Sequence, residues 1–283
     1  MRFLSSHTSG EHLRKNQKPK GSKLDSLTVG RSLELAMAMP RTITRGLETV
    51  GLYSNRLMAE SLAAKIRAES HNLESLHLLP PLGLPFVPQT SFALSASAIR
   101  IILNDVVLHQ RRCVVELGSG ISTLYLSKIL SERANSHLIT VDHDADWLAR
   151  IGEMLRRIGS AAVVQLVHAP LEPVADSAGA RWYCPAAIER ALLGPFVDSV
   201  IVDGPKARGP DDAETRRPAL AAVAPYLNSE GAVVFLDDVK RGGERRIYER
   251  WSHDFDLERV PDAEFCGLGI LVPRGRPLKF KIV

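Results

Sequence analysis

From residue 112 onward, short apolar runs rich in β-branched residues alternate with stretches whose apolar positions recur every three or four residues. The runs fall at 112–116, 137–142, 162–167, 197–203 and 231–237, and the helical patterns lie near 121–132, 145–158, 211–227 and 242–252. Strand-length apolar runs separated by helices predict an α/β domain whose mostly parallel sheet is covered on both faces. The end of the chain breaks the alternation. Phe265–Val272 and Leu278–Val283 read as two strands with no helix between them, so at least one C-terminal strand is expected to run in reverse.

Upstream of that domain the pattern changes. Residues 43–70 predict a helix, with Ile43, Leu47, Val50, Leu57, Leu62 and Ile66 near a helical period and charges between them. Such a helix can pack on the domain, which is the default expectation, pair with another protomer to make a homodimer, or lie on a membrane. Residues 79–88, Leu-Pro-Pro-Leu-Gly-Leu-Pro-Phe-Val-Pro, are too rich in proline for a helix or an interior strand and read as a connector. A second helix is expected near 95–109. The resulting division is a disordered leader at 1–40, a helical extension and proline-rich connector at 41–90, and the main domain at 91–283.

Charge sharpens the division. Of the 36 Lys/Arg and 32 Asp/Glu in 283 residues, nine basic and four acidic residues lie in positions 1–50, leaving 27 basic and 28 acidic elsewhere. The net +4 therefore belongs to the leader, and the near-neutral domain offers no nucleic-acid surface. No aromatic residues interleave with the leader's charges, which read as a solvated tail, although they could also touch anionic lipid or nucleic acid. No apolar run approaches the roughly 20 residues of a membrane span. Cys113, Cys184 and Cys266 are widely spaced, form no metal pattern, and predict reduced thiols in a cytoplasmic protein.

The candidate chemistry sits at the carboxyl ends of the predicted strands, where ligands of doubly wound sheets bind. The first strand runs into Glu116-Leu117-Gly118-Ser119-Gly120, and a helix follows at once. Two glycines allow close backbone approach, and a helix N-terminus offers N–H groups to a ligand, so a Rossmann-like nucleotide site is predicted. Thr123 replaces the third glycine of the dinucleotide fingerprint G-x-G-x-x-G. Asp142 ends the second strand 24 residues beyond Gly118, placed to accept hydrogen bonds from ribose hydroxyls, while Asp144 is expected to cap the next helix. His168-Ala169-Pro170-Leu171, after the third strand, could wall an adenine, with no catalytic role given to His168. The fourth and fifth strands end in Asp203 and in Asp237-Asp238, with Lys206 three residues after Asp203. Three carboxylates on one rim must be protonated, paired or bound to a cation. Mg²⁺ would suit them, and so would salt bridges from Lys206, Arg208, Arg216, Arg217 or Arg241; the sequence leaves both open. Lys206 could take the acceptor proton if desolvation and a metal lower its pKa.

The E-x-G-x-G turn resembles the first motif of class I S-adenosylmethionine-dependent methyltransferases. Over about 90–272 the order Val114–Thr123, Val141-Asp142-His143-Asp144, Val200-Ile201-Val202-Asp203-Gly204-Pro205 and Val234-Phe235-Leu236-Asp237-Asp238 is similar to a bacterial O-methyltransferase-like subgroup found near glycan and natural-product pathways. That subgroup has a V-V-E-L-G-S-G-x-S-T motif, an E/D-H-D-x-x-W segment, a V-D-G-P loop and an L-D-D-x-x-R-x-x-E segment, the last standing here as Leu236–Glu244. Asp203, Lys206 and Asp237 also match metal-dependent O-methyltransferases of the catechol type, in which Asp238 would be asparagine. The resemblance implies a seven-stranded sheet with one reversed strand. It also implies S-adenosylmethionine held by Glu116, Gly118, Ser119, Gly120, Ser122, Thr123, Asp142, His143, Ala169 and Asp203. Asp203 and Lys206 would be catalytic, and Asp203, Asp237 and Asp238 would hold any Mg²⁺.

The activity expected is O-methylation of a small-molecule or glycan hydroxyl. An NAD-linked oxidoreductase and an inactive methyltransferase-like scaffold are the alternatives; Thr123 and the lack of a hydride-transfer set weigh against the first. The insertion at 172–196 could form a lid over the acceptor, with Trp182 and Tyr183 either stacking on it or anchoring the insertion.

Overall fold

The computed structural model describes residues 41–79, 84, 90, 92–175, 179–194, 196–229 and 231–283. The chain divides into two units, Met1–Glu60, described only along the beginning of a long helix, and Ser61–Val283, which holds every other element among the described residues. The expected leader at 1–40 lies outside the described residues, as does the connector apart from Leu79 and Leu84.

Helix α1 spans Arg41–Leu78 and α2 spans Ala96–Leu108, opened by Ser95, whose Oγ accepts from the Ala98 N–H. The domain continues as β1 (Cys113–Leu117), α3 (Ile121–Ser131), β2 (His137–Asp142), α4 (Ala145–Arg157), β3 (Val164–His168), β4 (Leu171–Pro173), β5 (Arg181–Tyr183) and α5 (Pro185–Leu192). It ends with β6 (Ser199–Val202), α6 (Pro218–Val223), β7 (Val233–Leu236), α7 (Gly242–Asp254), β8 (Leu257–Val260) and β9 (Gly269–Pro273). The seven-stranded sheet has the order β3-β2-β1-β6-β7-β9-β8. Strands β3, β2, β1, β6 and β7 pair in parallel, whereas β9 is antiparallel to both β7 and β8. The expected α/β sheet with one reversed C-terminal strand is therefore present.

Strand periodicity sorts the core into two layers. Val115, Leu117, Val200, Val202, Val234 and Leu236 face one apolar layer with Trp182, Tyr183, Leu220 and Trp251. Val114, Ile201, Val233 and Phe235 face the other, with α2 and α3 residues such as Ile99, Ile102, Ile121 and Leu130. Because side chains alternate, Glu116 points to the α3 side of β1, and that one fact decides its role below.

Three expectations need correction. Leu278–Val283 is not a strand, because both edges of β9 are already occupied, by β7 and β8. Instead, Ile282 is buried, its carbonyl accepts from Asn104 Nδ2, and the Phe280 N–H donates to His109 Nε2. The helix expected over 211–227 is broken into short pieces: Pro210–Asp212 and Ala224–Tyr226 are 3₁₀ turns flanking the six-residue α6, with prolines 210, 218 and 225 at their starts. The helix expected at 43–70 runs on to Leu78, and its Leu57, Leu62 and Ile66 are solvent-exposed rather than packed. Of the two readings open for Trp182 and Tyr183, the structure shows anchoring: both are buried on the β4–β5 hairpin.

Candidate functional site

The glycine turn and the tips of β2, β6 and β7 converge at the carboxyl edge of the parallel strands. Gly118 takes φ +106°, a left-handed value that favours glycine, and passes directly against Gly204: a Cβ on Gly118 would lie 2.8 Å from the Gly204 nitrogen. A Cβ on Gly204 would in turn collide with the Tyr183 hydroxyl. Two loops therefore cross backbone to backbone, with Tyr183 beneath, and this explains the glycine of the V-D-G-P loop.

Glu116 is fully buried. Its carboxyl receives the hydroxyls of Ser122 (2.6 Å), Thr123 and Thr140 (2.7 Å), the last directly opposite it in the β1–β2 register. Thr123 Oγ1 also accepts from the Gly120 N–H at 2.9 Å. The threonine in place of a third glycine thus ties the turn to the sheet. Burial pushes the Glu116 carboxyl up to about 7, against the lowering effect of the three hydroxyls. The side chains of Glu116, Ser122 and Thr123, expected to touch cofactor, are buried and hydrogen-bonded to one another beneath the turn.

Asp142 does stand at the rim, 7% exposed. Its Oδ2 accepts from the Ser119 N–H (3.0 Å) and Ser119 Oγ (3.1 Å), its Oδ1 accepts from the Asp144 N–H (3.0 Å), and His143 Nδ1 lies 3.2 Å from Oδ1. Asp144 caps α4, accepting from the Trp147 N–H at 2.9 Å. Trp147 adds a tie that the residue-level reading missed: its Nε1 donates to the Ser119 carbonyl at 2.9 Å. Only the tryptophan of the E/D-H-D-x-x-W segment signalled it. The Ala169 N–H donates to the Asp142 carbonyl at 2.8 Å, which sets that buried residue beside the β2 tip. His168 Nε2 contacts the His143 carbonyl at 3.2 Å.

At the tips of β6 and β7, carboxylate oxygens of Asp203, Asp237 and Asp238 lie within 4.8 Å of one another. Asp238 holds a positive φ of 65°. Arg216, whose side chain is 3% exposed, enters the same cluster. It donates to the carbonyls of Asp203, Pro205 and Asp237, and sits 3.5 Å from Asp203 Oδ1 and 3.3 Å from Asp238 Oδ2. Arg241 pairs with Asp238 Oδ2 at 2.7 Å. Glu244, buried on the first turn of α7, also faces Arg216, and burial raises its carboxyl.

Two of the five candidate salt-bridge partners, Arg216 and Arg241, therefore reach the acids. Asp203 is raised well above the carboxylate range by desolvation, then by Asp237, with Arg216 opposing. Asp237 is raised to about 6 by desolvation and Asp238, and the Asp203 and Asp237 side chains are hydrogen-bonded to each other. The donor set remains all oxygen and partly desolvated, so it fits a hard divalent cation. Lys206, whose role called for desolvation, is exposed, with its Nζ 4.3 Å from the centre of the Phe92 ring. A cavity of about 690 Å³ opens at the opposite edge of the strands, lined by Arg111, Asp198, Arg276 and Phe280, away from all of these groups.

Residues 115–239 match the family model described as a methyltransferase domain. No curated protein matches the chain. Among solved structures, a putative O-methyltransferase from Klebsiella pneumoniae is 19% identical, with 74% of this chain and 88% of that chain covered at a TM-score of 0.44. An O-methyltransferase from Bacillus cereus in complex with SAH is 15% identical, covering 72% of this chain and 89% of that chain at 0.45. A putative caffeoyl-CoA O-methyltransferase from Staphylococcus aureus is 13% identical, covering 75% and 99% at 0.49. No helix among the described residues is long and apolar enough to cross a membrane.

Proposed function

We propose that this chain, whose residues 115–239 match the model of a methyltransferase domain, moves a methyl group from S-adenosylmethionine to a hydroxyl of a small molecule or glycan. The observation that carries the reading is the pairing of the Gly118–Gly120 turn with Asp142, stapled together through Ser119 at adjacent strand tips.

Asp142 is the ribose ligand in this reading. A carboxylate has about four lone-pair positions. Three are filled by Ser119 N–H, Ser119 Oγ and Asp144 N–H. Two ribose hydroxyls therefore need the Ser119 hydroxyl to swing away. Gly118 and Gly120 give the cofactor close access to the α3 N-terminus, His143 borders the ribose, and Ala169 borders the adenine.

Transfer itself is a displacement in line with the sulfonium. The acceptor oxygen forms the new O–CH₃ bond as the S–CH₃ bond breaks, sulfur leaves as a neutral thioether, and the hydroxyl proton goes to Asp203. Burial, and then Asp237, raise the Asp203 carboxyl, so in its ionised form it is a stronger base than an ordinary carboxylate. Lys206 and the exposed Phe92 ring make a cationic and aromatic border for the acceptor. Asp203, Asp237 and Asp238 are the residues that would hold Mg²⁺, which when bound supplies polarisation of the acceptor oxygen. Three unpaired cysteines fit a reducing cytoplasm.

The test is isothermal titration with S-adenosylhomocysteine, with NAD⁺ as the control. The expected result is binding on the order of micromolar, lost in Asp142→Ala and in Gly120→Arg, with no NAD⁺ binding. Gly120 is the better probe than Gly118, because the nearest atom to an added Cβ there is Ser122 Oγ at 3.9 Å. NAD⁺ binding without S-adenosylhomocysteine binding would overturn the assignment.

A further inference from the structure

The part of α1 within Ser61–Leu78 shows one face to the domain and a second, apolar face to solvent. Toward the domain, Ser75 is fully buried, Asn72 Oδ1 accepts from the Ser97 N–H at 3.3 Å, and the His71 ring lies 4.8 Å from that of Phe265. Leu62, Ile66, Leu73 and Leu76 are 59%, 58%, 60% and 40% exposed. At about 100° per residue these four fall within an arc of about 80°, adjacent to the domain-facing arc rather than part of it. Glu69 lies within the same arc and Lys65 about 20° beyond its border, both exposed. A continuous stripe of four large apolar side chains is a surface that calls for a cover.

We propose that this stripe is covered by the same stripe of a second copy, the two helices running antiparallel about a two-fold axis near Arg67. The register follows from charge. With the axis at residue 67, Lys65 of each copy meets Glu69 of the other, twice by symmetry, Leu62 falls within one residue of the other copy's Leu73, and the two Ile66 side chains flank the axis. Apolar residues meet apolar residues and each charge meets its opposite, as a self-complementary two-fold interface requires. A bilayer is the poorer cover, since Glu69 would face hydrocarbon there without a cation opposite it. Four large apolar side chains from each copy make a small contact, so the dissociation constant is expected on the order of micromolar. This surface is independent of the methyl-transfer reading, and either can fail without the other.

Sedimentation velocity of the full chain from about 1 to 200 µM tests it, spanning the expected affinity. Wild type should shift from monomer to dimer. Lys65→Glu and Glu69→Lys should each raise the dissociation constant about tenfold or more, and the double exchange Lys65→Glu/Glu69→Lys should restore it to within about threefold. Ile66→Asp should abolish the dimer. All these positions are exposed in one chain, so unchanged circular dichroism and S-adenosylhomocysteine affinity would show that the fold is intact. A wild-type monomer throughout the range, a dimer indifferent to these substitutions, or a double exchange that fails to rescue would each overturn the proposal. So would a monomer that floats with phosphatidylserine vesicles in a manner lost on Ile66→Asp, which would make the cover a bilayer.

Discussion

The two edges of the parallel sheet both contain buried carboxylates, and they treat them differently. At the amino edge Asp105 is fully buried, with Arg111 Nε and a terminal nitrogen each at 3.0 Å and His109 Nδ1 at 2.9 Å. Asp198 there accepts from the N–H groups of Arg112 (2.9 Å) and Cys113 (3.1 Å) and from Asn228 Nδ2 (3.1 Å). Each of these oxygens has a donor. At the carboxyl edge Asp203, Asp237, Asp238 and Glu244 crowd around one buried guanidinium, Arg216, with Arg241 half-exposed beside it. Acids that serve only the fold are matched to their donors. The excess at the other edge is a cost that folding alone does not explain, and a ligand or a transferred proton would relieve it.

Removing an acid from each edge should separate the two roles most widely. Asp105→Ala strands Arg111 in the core and should cost about 3–5 kcal/mol in urea unfolding, while leaving S-adenosylhomocysteine affinity in the surviving folded fraction near wild type. Asp203→Asn removes mutual repulsion, so stability should hold or rise, while methyl transfer measured with labelled S-adenosylmethionine should fall about 100-fold or more. Equal losses of stability in both variants would erase the contrast.

Titration supplies the next test. Burial pushes the Glu116 carboxyl up to about 7 in the folded chain from an ordinary 4.5, and burial with Asp238 pushes Asp237 up to about 6 from an ordinary 3.8. The native state therefore binds protons that the unfolded chain has released, and stability should fall as pH rises from about 4 to about 7. Glu116→Gln and Asp237→Asn should each flatten part of that fall, read as urea midpoints near pH 5 and pH 7.5, while wild type keeps the slope.

The strand tips were readable because a parallel sheet has a simple grammar: apolar runs, then a carboxylate, then a turn. Asp142, Asp203, Asp237 and the cap at Asp144 all came from that grammar. What sequence could not supply was side-chain direction. Glu116 sits at a ligand-like position in the motif, but strand alternation turns it under α3. Arg216 was one of five cations that could have served the acids, and only its burial singles it out. Strand β8 was missed because Leu-Glu-Arg-Val at a sheet edge buries only Leu257 and so shows no apolar run. Leu278–Val283 misled in the opposite sense: its strand-like alternation is held outside the sheet, with Ile282 buried and its carbonyl accepting from Asn104 Nδ2.

The smallest expected effects lie within the glycine turn. Gly118→Ala must hold φ +106° and push against the Gly204 backbone, so a loss of about 1–3 kcal/mol is expected. Gly120→Ala has extended backbone and open space, so stability should stay within about 0.5 kcal/mol. If the cofactor passes that face, its affinity should nevertheless drop several-fold by calorimetry.

Hydrogen exchange with and without saturating S-adenosylhomocysteine tests most directly which edge of the sheet is the functional one. The account predicts protection concentrated at 118–123 and 142–147, with the amino-edge segments 105–113 and 228–233 unchanged. Protection at the amino edge, around Arg111 and the cavity beside it, with the glycine turn unaffected, would contradict it.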